Sequence, residues 1–127
     1  MSNPTYTQGP ISKEIAGDLD KFRLVTLNAE GKIAYAAAEG AVFGAITEAG
    51  RLDPKEAGAK TLAVHYGVAA VKLETTDTIK AGAAVYSAAD GKVASTGTVQ
   101  VGIAVEPTDE DSKKTLTILN GLPTAGA

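Results

Sequence analysis

Val99-Gln100-Val101-Gly102-Ile103-Ala104-Val105 is the stretch whose period decides the kind of chain this is. Val99, Val101, Ile103 and Val105 fall on one face by strict alternation, the pattern of a half-buried β-strand. Working outward, Thr115-Leu116-Thr117-Ile118-Leu119 has the same two-residue period and β-branched content. Phe22-Arg23-Leu24-Val25-Thr26-Leu27 and Val68-Ala69-Ala70-Val71-Lys72-Leu73 follow it less cleanly. Thr61-Leu62-Ala63-Val64-His65-Tyr66 reads as a further strand that turns or bulges at Gly67 before running on into Val68. Ala34-Tyr35-Ala36-Ala37-Ala38-Glu39 has helical propensity, yet it lies between Gly31 and Gly40 and is too short to hold as an isolated helix, so it is read as strand. From Phe22 onward, turn signals separate these segments at roughly the 8 to 12 residue spacing of a sandwich or barrel.

A weak internal repeat supports the β reading. Leu27-Asn28-Ala29-Glu30-Gly31-Lys32-Ile33-Ala34 resembles Ser87-Ala88-Ala89-Asp90-Gly91-Lys92-Val93-Ala94. In both, an acidic residue, a Gly that tolerates positive φ, a Lys and a β-branched residue suit a tight hairpin between antiparallel strands. Each copy is followed by a Gly-containing strand, Val42-Phe43-Gly44-Ala45-Ile46 and Val101-Gly102-Ile103-Ala104-Val105, so two related β units are expected to share one core. The helical candidates are short turns around Asp53-Pro54-Lys55-Glu56-Ala57 and Thr75-Thr76-Asp77-Thr78-Ile79-Lys80, where Asp and Thr can cap a first turn.

A chain of 127 residues fits one domain. With 44% hydrophobic and 21% charged residues it lies far from the composition of disordered chains and is expected to fold. The formal charge of −3 includes no basic cluster, so the counterion release that drives nucleic-acid binding is missing and no nucleic-acid partner is expected. No run of about 18 apolar residues exists, and Met1 to Gln8 lacks the flank and core of a signal peptide, so no membrane partner and no secretion by that route are expected. The lack of cysteine removes disulfides, thiol nucleophiles and thiolate metal sites, and fits folding in a reducing cytoplasm. Aromatics are few and Trp is absent, so the core must be built from Val, Ile, Leu and Ala. A core that thin leans toward assembly with other copies or partners.

The search for chemistry finds little. His65 is the one histidine, no G-x-S-x-G turn exists, and a lone imidazole is a poor metal site, so His65 is read as structural or interfacial. Gly40-Ala41-Val42-Phe43-Gly44-Ala45 lacks the Gly-Lys-Ser/Thr of a phosphate loop, and its glycines are read as bulges or close packing. Asp18 with Asp20, and Asp109-Glu110-Asp111, could in principle bind Ca²⁺ or do acid–base work. Neither has the spacing of a calcium loop, and Asp109 to Lys114 reads as a solvated turn balanced by its own lysines. The chain is expected to have no catalytic residues, metal site or cofactor, and not to be an enzyme.

Residues 1–15 are rich in Pro, Thr, Ser, Asn and Gly and read as an N-terminal arm, followed by one β domain over 16–121 and a short tail over 122–127. Such an arm can order on contact by adding an extended segment to a sheet edge, with Tyr6 and the prolines filling pockets. On that reading Asn3, Pro4, Thr5, Tyr6, Thr7, Gln8 and Pro10 are the candidate contact residues; the alternative for the same stretch is an ordinary disordered terminus.

Taken in order, these elements resemble the small bacteriophage capsid cement, or decoration, proteins. The likeness runs from Asp18-Leu19 to Leu27, the Glu30-Gly31-Lys32 hairpin and Gly44-Ala45-Ile46, through His65-Tyr66-Gly67-Val68 and Ile79 to Tyr86, to Asp90-Gly91-Lys92-Val93, Val101 to Glu106 and a final hydrophobic strand. The resemblance implies an all-β domain with short helical turns, shaped as a small β-barrel or β-tulip with an extended arm. It implies a virion structural protein, made in the host cytoplasm, that sits on the outer surface of the head as a homotrimer. There it would clamp neighbouring subunits of the major capsid protein, and the family carries no catalytic residues. The alternatives are a fibre- or vertex-associated virion module and a carbohydrate- or small-ligand-binding β module, the latter opposed by the missing Trp and scarce aromatics.

Overall fold

Both repeated turns close the hairpins expected of them. At the first, Asn28 Oδ1 accepts the Glu30 and Lys32 amides, both at 3.0 Å, and Gly31 takes φ 81°. At the second, Asp90 (φ 58°) and Gly91 (φ 71°) reverse the chain while the Ala88 amide donates to the Lys92 carbonyl at 2.8 Å. Gly91 is obligatory there, because a Cβ would meet the Leu24 carbonyl oxygen at 2.5 Å and Arg23 Cβ at 3.1 Å.

The protein's computed structural model describes residues 10–56 and 58–120. It is an all-β fold of strands β1 (Ile11–Glu14), β2 (Arg23–Leu27), β3 (Ile33–Tyr35), β4 (Gly44–Ile46), β5 (Thr61–Val64), β6 (Ala70–Glu74), β7 (Ala84–Ser87), β8 (Val93–Ala94), β9 (Gln100–Ala104) and β10 (Lys114–Leu119). The helical content among the described residues is one 3₁₀ turn, Ala89–Gly91, inside the second hairpin. The strands form an antiparallel pair β1-β5, a three-stranded sheet β3-β2-β4 and a five-stranded sheet β6-β10-β9-β7-β8.

The sequence repeat is a structural one. In the first unit β2 lies between its hairpin partner β3 and the following strand β4; in the second β7 lies between β8 and β9. The registers correspond as well. Leu27 faces Ile33 as Ser87 faces Val93, Val25 faces Gly44 as Val85 faces Gly102, and Leu24 faces Ala45 as Ala84 faces Ile103.

The two units stack. Leu24 and Ala45, on one side of the three-stranded sheet, join Val71, Leu73, Val85, Val93, Val101 and Leu119 in the larger core. Val25 and Ile46, on the other side, join Ile15, Leu19, Ile33, Leu62 and Val64 in a smaller core beneath β1-β5. The single shared core expected from the repeat is therefore two cores with the three-stranded sheet between them.

Several expectations change in detail. The sheets are open and no barrel closes. The edges meet through single bridges, Ile15 with Ile33 and Ala45 with His65, instead of the continuous sheared ladder that closure requires. Residues 11–14, read as part of the arm, form β1 against β5. The strand read at Ala34 to Glu39 is limited to Ile33–Tyr35. The stretch after Gly67 (φ 72°) leaves β5's sheet altogether, since β6 pairs with β10. Near Asp53 the Lys55 amide donates to Asp53 Oδ1 at 2.9 Å, a capped turn that does not propagate.

The largest correction falls on Val99 to Val105. Between β7 and β9 the register passes from Val85↔Gly102 to Tyr86↔Gln100, so Val101 is an extra residue and the strand bulges. A bulge reverses the parity of everything after it. Val101 and Ala104 are buried, whereas Ile103 and Val105 are 43% and 41% exposed. Gly102 follows the extra residue because β10 crosses so close that a Cβ would fall on the Ile118 carbonyl oxygen.

Gly102→Ala should therefore destabilise the fold by about 1–3 kcal/mol, the usual cost of overpacking. Gly17→Ala, where a Cβ meets nothing within 4 Å, should stay within about 0.5 kcal/mol of the parent. Urea midpoints of the two variants check both.

Candidate protein-binding surface

On the five-stranded sheet, alternation sends Val71, Leu73, Thr115, Thr117, Leu119 and Val85 inward. Strand β10 thus buries its threonines and presents Leu116 and Ile118 outward, the reverse of a hydrophobic-in reading. Partners make this tolerable, because a buried hydroxyl is costly only when unpaired. Thr115 Oγ1 and Thr108 Oγ1 share a hydrogen bond of 2.6 Å, Thr108 Oγ1 also accepts the Ile79 amide at 2.8 Å, and Thr117 Oγ1 donates to the Thr115 carbonyl at 3.3 Å.

The registers then line up an apolar row across the outer face. Ala70 on β6 faces Ile118 on β10, Ile118 faces Ile103 on β9, and Ile103 faces Ala84 on β7. Ile118 is 39% exposed, and Val68, just ahead of β6, is 82% exposed. Half-buried Leu116 and exposed Val105 widen the row on one side. At that end Lys72, Lys114 and Glu106 line a hollow of about 110 Å³, below the roughly 300 Å³ at which small-molecule pockets begin. The surface is an apolar row with a mixed-charge border, a composition suited to contact with another protein.

Two wider depressions are polar, and charged groups in them are already paired. One, about 340 Å³, is lined by Asp20, Arg23, Arg51 and Glu74. Arg51 there pairs with Asp20 at 2.9 Å, and that hydrogen bond holds its pKa above the usual arginine value. The other, about 330 Å³, contains the Lys32–Glu14 pair at 3.9 Å.

The remaining candidate residues are disposed as follows. Asn3, Pro4, Thr5, Tyr6, Thr7 and Gln8 lie outside the described residues, and Pro10 is exposed immediately before β1. His65 exchanges both backbone hydrogen bonds with Ala45, each 2.8 Å, so its main chain joins β4 to the end of β5. Gly44 is a close-packing glycine: a Cβ there would collide with the His65 backbone. Asp18 and Asp20 do not converge on a shared site, since Asp18 Oδ1 accepts the Leu52 amide at 2.8 Å while Asp20 holds Arg51. Asp109 Oδ1 accepts the Asp111 amide at 2.9 Å, and Glu110 pairs with Lys113 at 3.4 Å, a self-balanced turn. Among the described residues no group of three or more His, Asp and Glu side chains is placed to hold a metal ion. The five aromatics among those residues, Phe22, Tyr35, Phe43, Tyr66 and Tyr86, are all half-buried, with Phe43 and Tyr66 stacked at 6.3 Å.

The described residues thus form an all-β body with an apolar row across one sheet face and carboxylates held in turns and ion pairs. The chain belongs to the phage cement protein family, whose model matches residues 52–119, and it is accordingly a structural component of the phage virion. The matched span contains every strand of the five-stranded sheet. The fold is similar to that of the head fiber gp8.5 N base of bacteriophage phi29, with a TM-score of 0.67 at 16% sequence identity, over 91% of this chain and 96% of that one. No curated protein matches the chain.

The Asp111 and Ser112 amides hold the Asp109 carboxyl below its ordinary pKa. A group depressed on folding contributes stability that is present above the unfolded value, about 3.9 for Asp, and lost as pH falls through the lower folded value. A carboxyl NMR titration should place Asp109 below the ordinary aspartate value of about 3.9. Asp109→Ala should remove its share of the acid-side loss of stability.

Proposed function

We propose that this protein binds the outer surface of the phage head as a homotrimer and stabilises the lattice by clamping neighbouring subunits of the major capsid protein. Family membership is the observation that carries the reading, and the absence of converging chemistry among the described residues is compatible with it. Residues Asn3 to Gln8 and Pro10 serve as a capsid-contacting arm that orders on contact. Three footprints on one trimer act at high effective concentration, so contacts too weak singly hold together. A cement that binds the intact shell and not the dissociated subunits raises shell stability by mass action.

The fold it shares with a head fiber base supports a second reading, a fibre- or vertex-associated position with far fewer copies. Quantitative mass spectrometry of gradient-purified particles separates the two. A ratio to the major capsid protein near one, or a simple fraction of it, establishes lattice-wide cement; a few copies favours the fibre position; absence from particles overturns both. Deleting residues 2–10 should abolish addition to undecorated heads while leaving the thermal transition in place, and unchanged addition would remove the arm from the mechanism.

A further inference from the structure

The polar depression between the start of β2 and the start of β10 gathers cations that lie far apart in the sequence. Lys21, Arg23, Arg51 and Lys114 line it, against the carboxylates of Asp20 and Glu74. Those two carboxylates are already shared. Asp20 pairs with Arg51 at 2.9 Å and lies 3.6 Å from Arg23, while Glu74 holds Arg23 at 3.2 Å and Lys92 at 3.3 Å. Lys114 faces Glu74 across the β6-β10 ladder, yet its ammonium turns to the Ser112 carbonyl at 3.2 Å and to the Phe22 ring, 5.3 Å from the centroid. The Lys21 ammonium lies 5.9 Å from the same ring. Among the described residues neither lysine forms an ion pair with a carboxylate. The backbone fixes this arrangement. Phe22 (φ 62°) and Lys113 (φ 57°) are two of the three non-glycine residues with positive φ among the described residues, and their carbonyls accept the amides of the consecutive Glu74 and Thr75, each at 2.9 Å. Conformations of this cost persist where the surroundings enforce them, and they cluster at functional sites.

From these observations we propose that the depression is a socket for an acidic segment of another protein, whose carboxylates pair with Lys21 and Lys114. The inference deepens the proposed function, resting on its protein partner and giving the chemistry of one contact. Four cations against two carboxylates leave an excess of two positive charges, on a chain whose formal charge is −3, so an anion is drawn to this place and not to the molecule at large. The open donors are the two ammonium groups, because the arginines are engaged within the chain: Arg23 also donates to the Asp90 carbonyl at 2.9 Å and Arg51 to the Leu19 carbonyl at 2.7 Å. Two open lysines are too few to follow a nucleic-acid backbone, whose binding needs many phosphates neutralised in a row. The half-buried Phe22 ring and Ala49 add apolar surface beside the ammonium groups, which the methylene groups of an acidic side chain can cover and an inorganic anion cannot. The pairs form at the surface, so binding should weaken as salt rises.

The test titrates the full chain with a hexaglutamate peptide, and separately with inorganic phosphate, following backbone amide signals by NMR. The proteins are the parent, Lys21→Gln/Lys114→Gln, and Lys60→Gln/Lys80→Gln, which makes the same change in net charge at exposed lysines outside the depression. Circular dichroism checks that all three keep the fold. We expect hexaglutamate to shift the Lys21, Phe22 and Lys114 signals saturably, with Lys21→Gln/Lys114→Gln binding about threefold to thirtyfold more weakly, the range for two exposed ion pairs. The Lys60→Gln/Lys80→Gln variant should bind as the parent does. No saturable shift, an equal loss in both variants, or phosphate binding as tightly as the peptide overturns the assignment. Adding the same proteins to undecorated heads keeps the two readings apart. A Lys21→Gln/Lys114→Gln variant that adds as well as the parent refutes the socket and leaves the cement reading intact, whereas a parent that takes hexaglutamate at this site yet never adds to heads refutes the cement reading and leaves the socket.

Discussion

Strand β2 has no solvent face where it enters the fold, and that constraint organises the rest. Arg23, Leu24 and Val25 are 7%, 0% and 0% exposed, with Leu24 in the larger core and Val25 in the smaller. A strand buried on both sides cannot keep a free cation without partners. Arg23 accordingly donates to the Asp90 carbonyl at 2.9 Å and to Glu74 Oε2 at 3.2 Å, and its guanidinium lies over the Tyr35 ring at 5.4 Å. One side chain from the first unit thereby holds the second hairpin and the end of β6, and Lys92 reaches the same Glu74 oxygen at 3.3 Å. Both terminal nitrogens of the guanidinium are thus partnered, and Nε alone has no hydrogen bond.

The duplication explains why the docking is so close. The Gly91 amide donates to the Ala36 carbonyl at 2.9 Å, and Ser87 Oγ donates to the Ala37 carbonyl at 2.6 Å, so the second hairpin supplies hydrogen bonds to the irregular segment following β3. Ser87 stands where the first copy has Leu27, and the change suits its place: Leu27 packs on the edge of the smaller core, whereas Ser87 faces a backbone carbonyl of the other unit. At this position the two copies differ where the second touches the first.

Much of this was legible in the sequence, and the failures have a common cause. The all-β class, both hairpins and the strands at Arg23, Thr61, Val71 and Thr115 follow from period and turn chemistry, which are local properties. The bulge at Val101 is not local: it exists because β10's backbone passes beside Gly102, and a one-residue shift then turns Ile103 and Val105 outward. Likewise nothing in Thr115-Leu116-Thr117-Ile118 says that threonines are inside, because the partner that permits it, Thr108, comes from the preceding loop. The row across the outer face is not legible for that reason: alternation alone puts Ile103 and Val105 on the same face as Val99 and Val101, and the one local hint is a glycine in the middle of an otherwise regular strand.

Exposed isoleucines at about two-fifths of full accessibility are unremarkable one at a time, since folded proteins show much apolar surface. Their register is what changes the reading. Had the bulge been absent, Ile103 would lie inside and Gly102 outside, and the row from Ala70 to Ala84 would be broken at its centre. The same irregularity that spoils the alternation of β9 therefore builds the continuous face. Bulges persist where they re-aim a side chain, and here the side chain is aimed away from the core, onto the row that crosses the outer face.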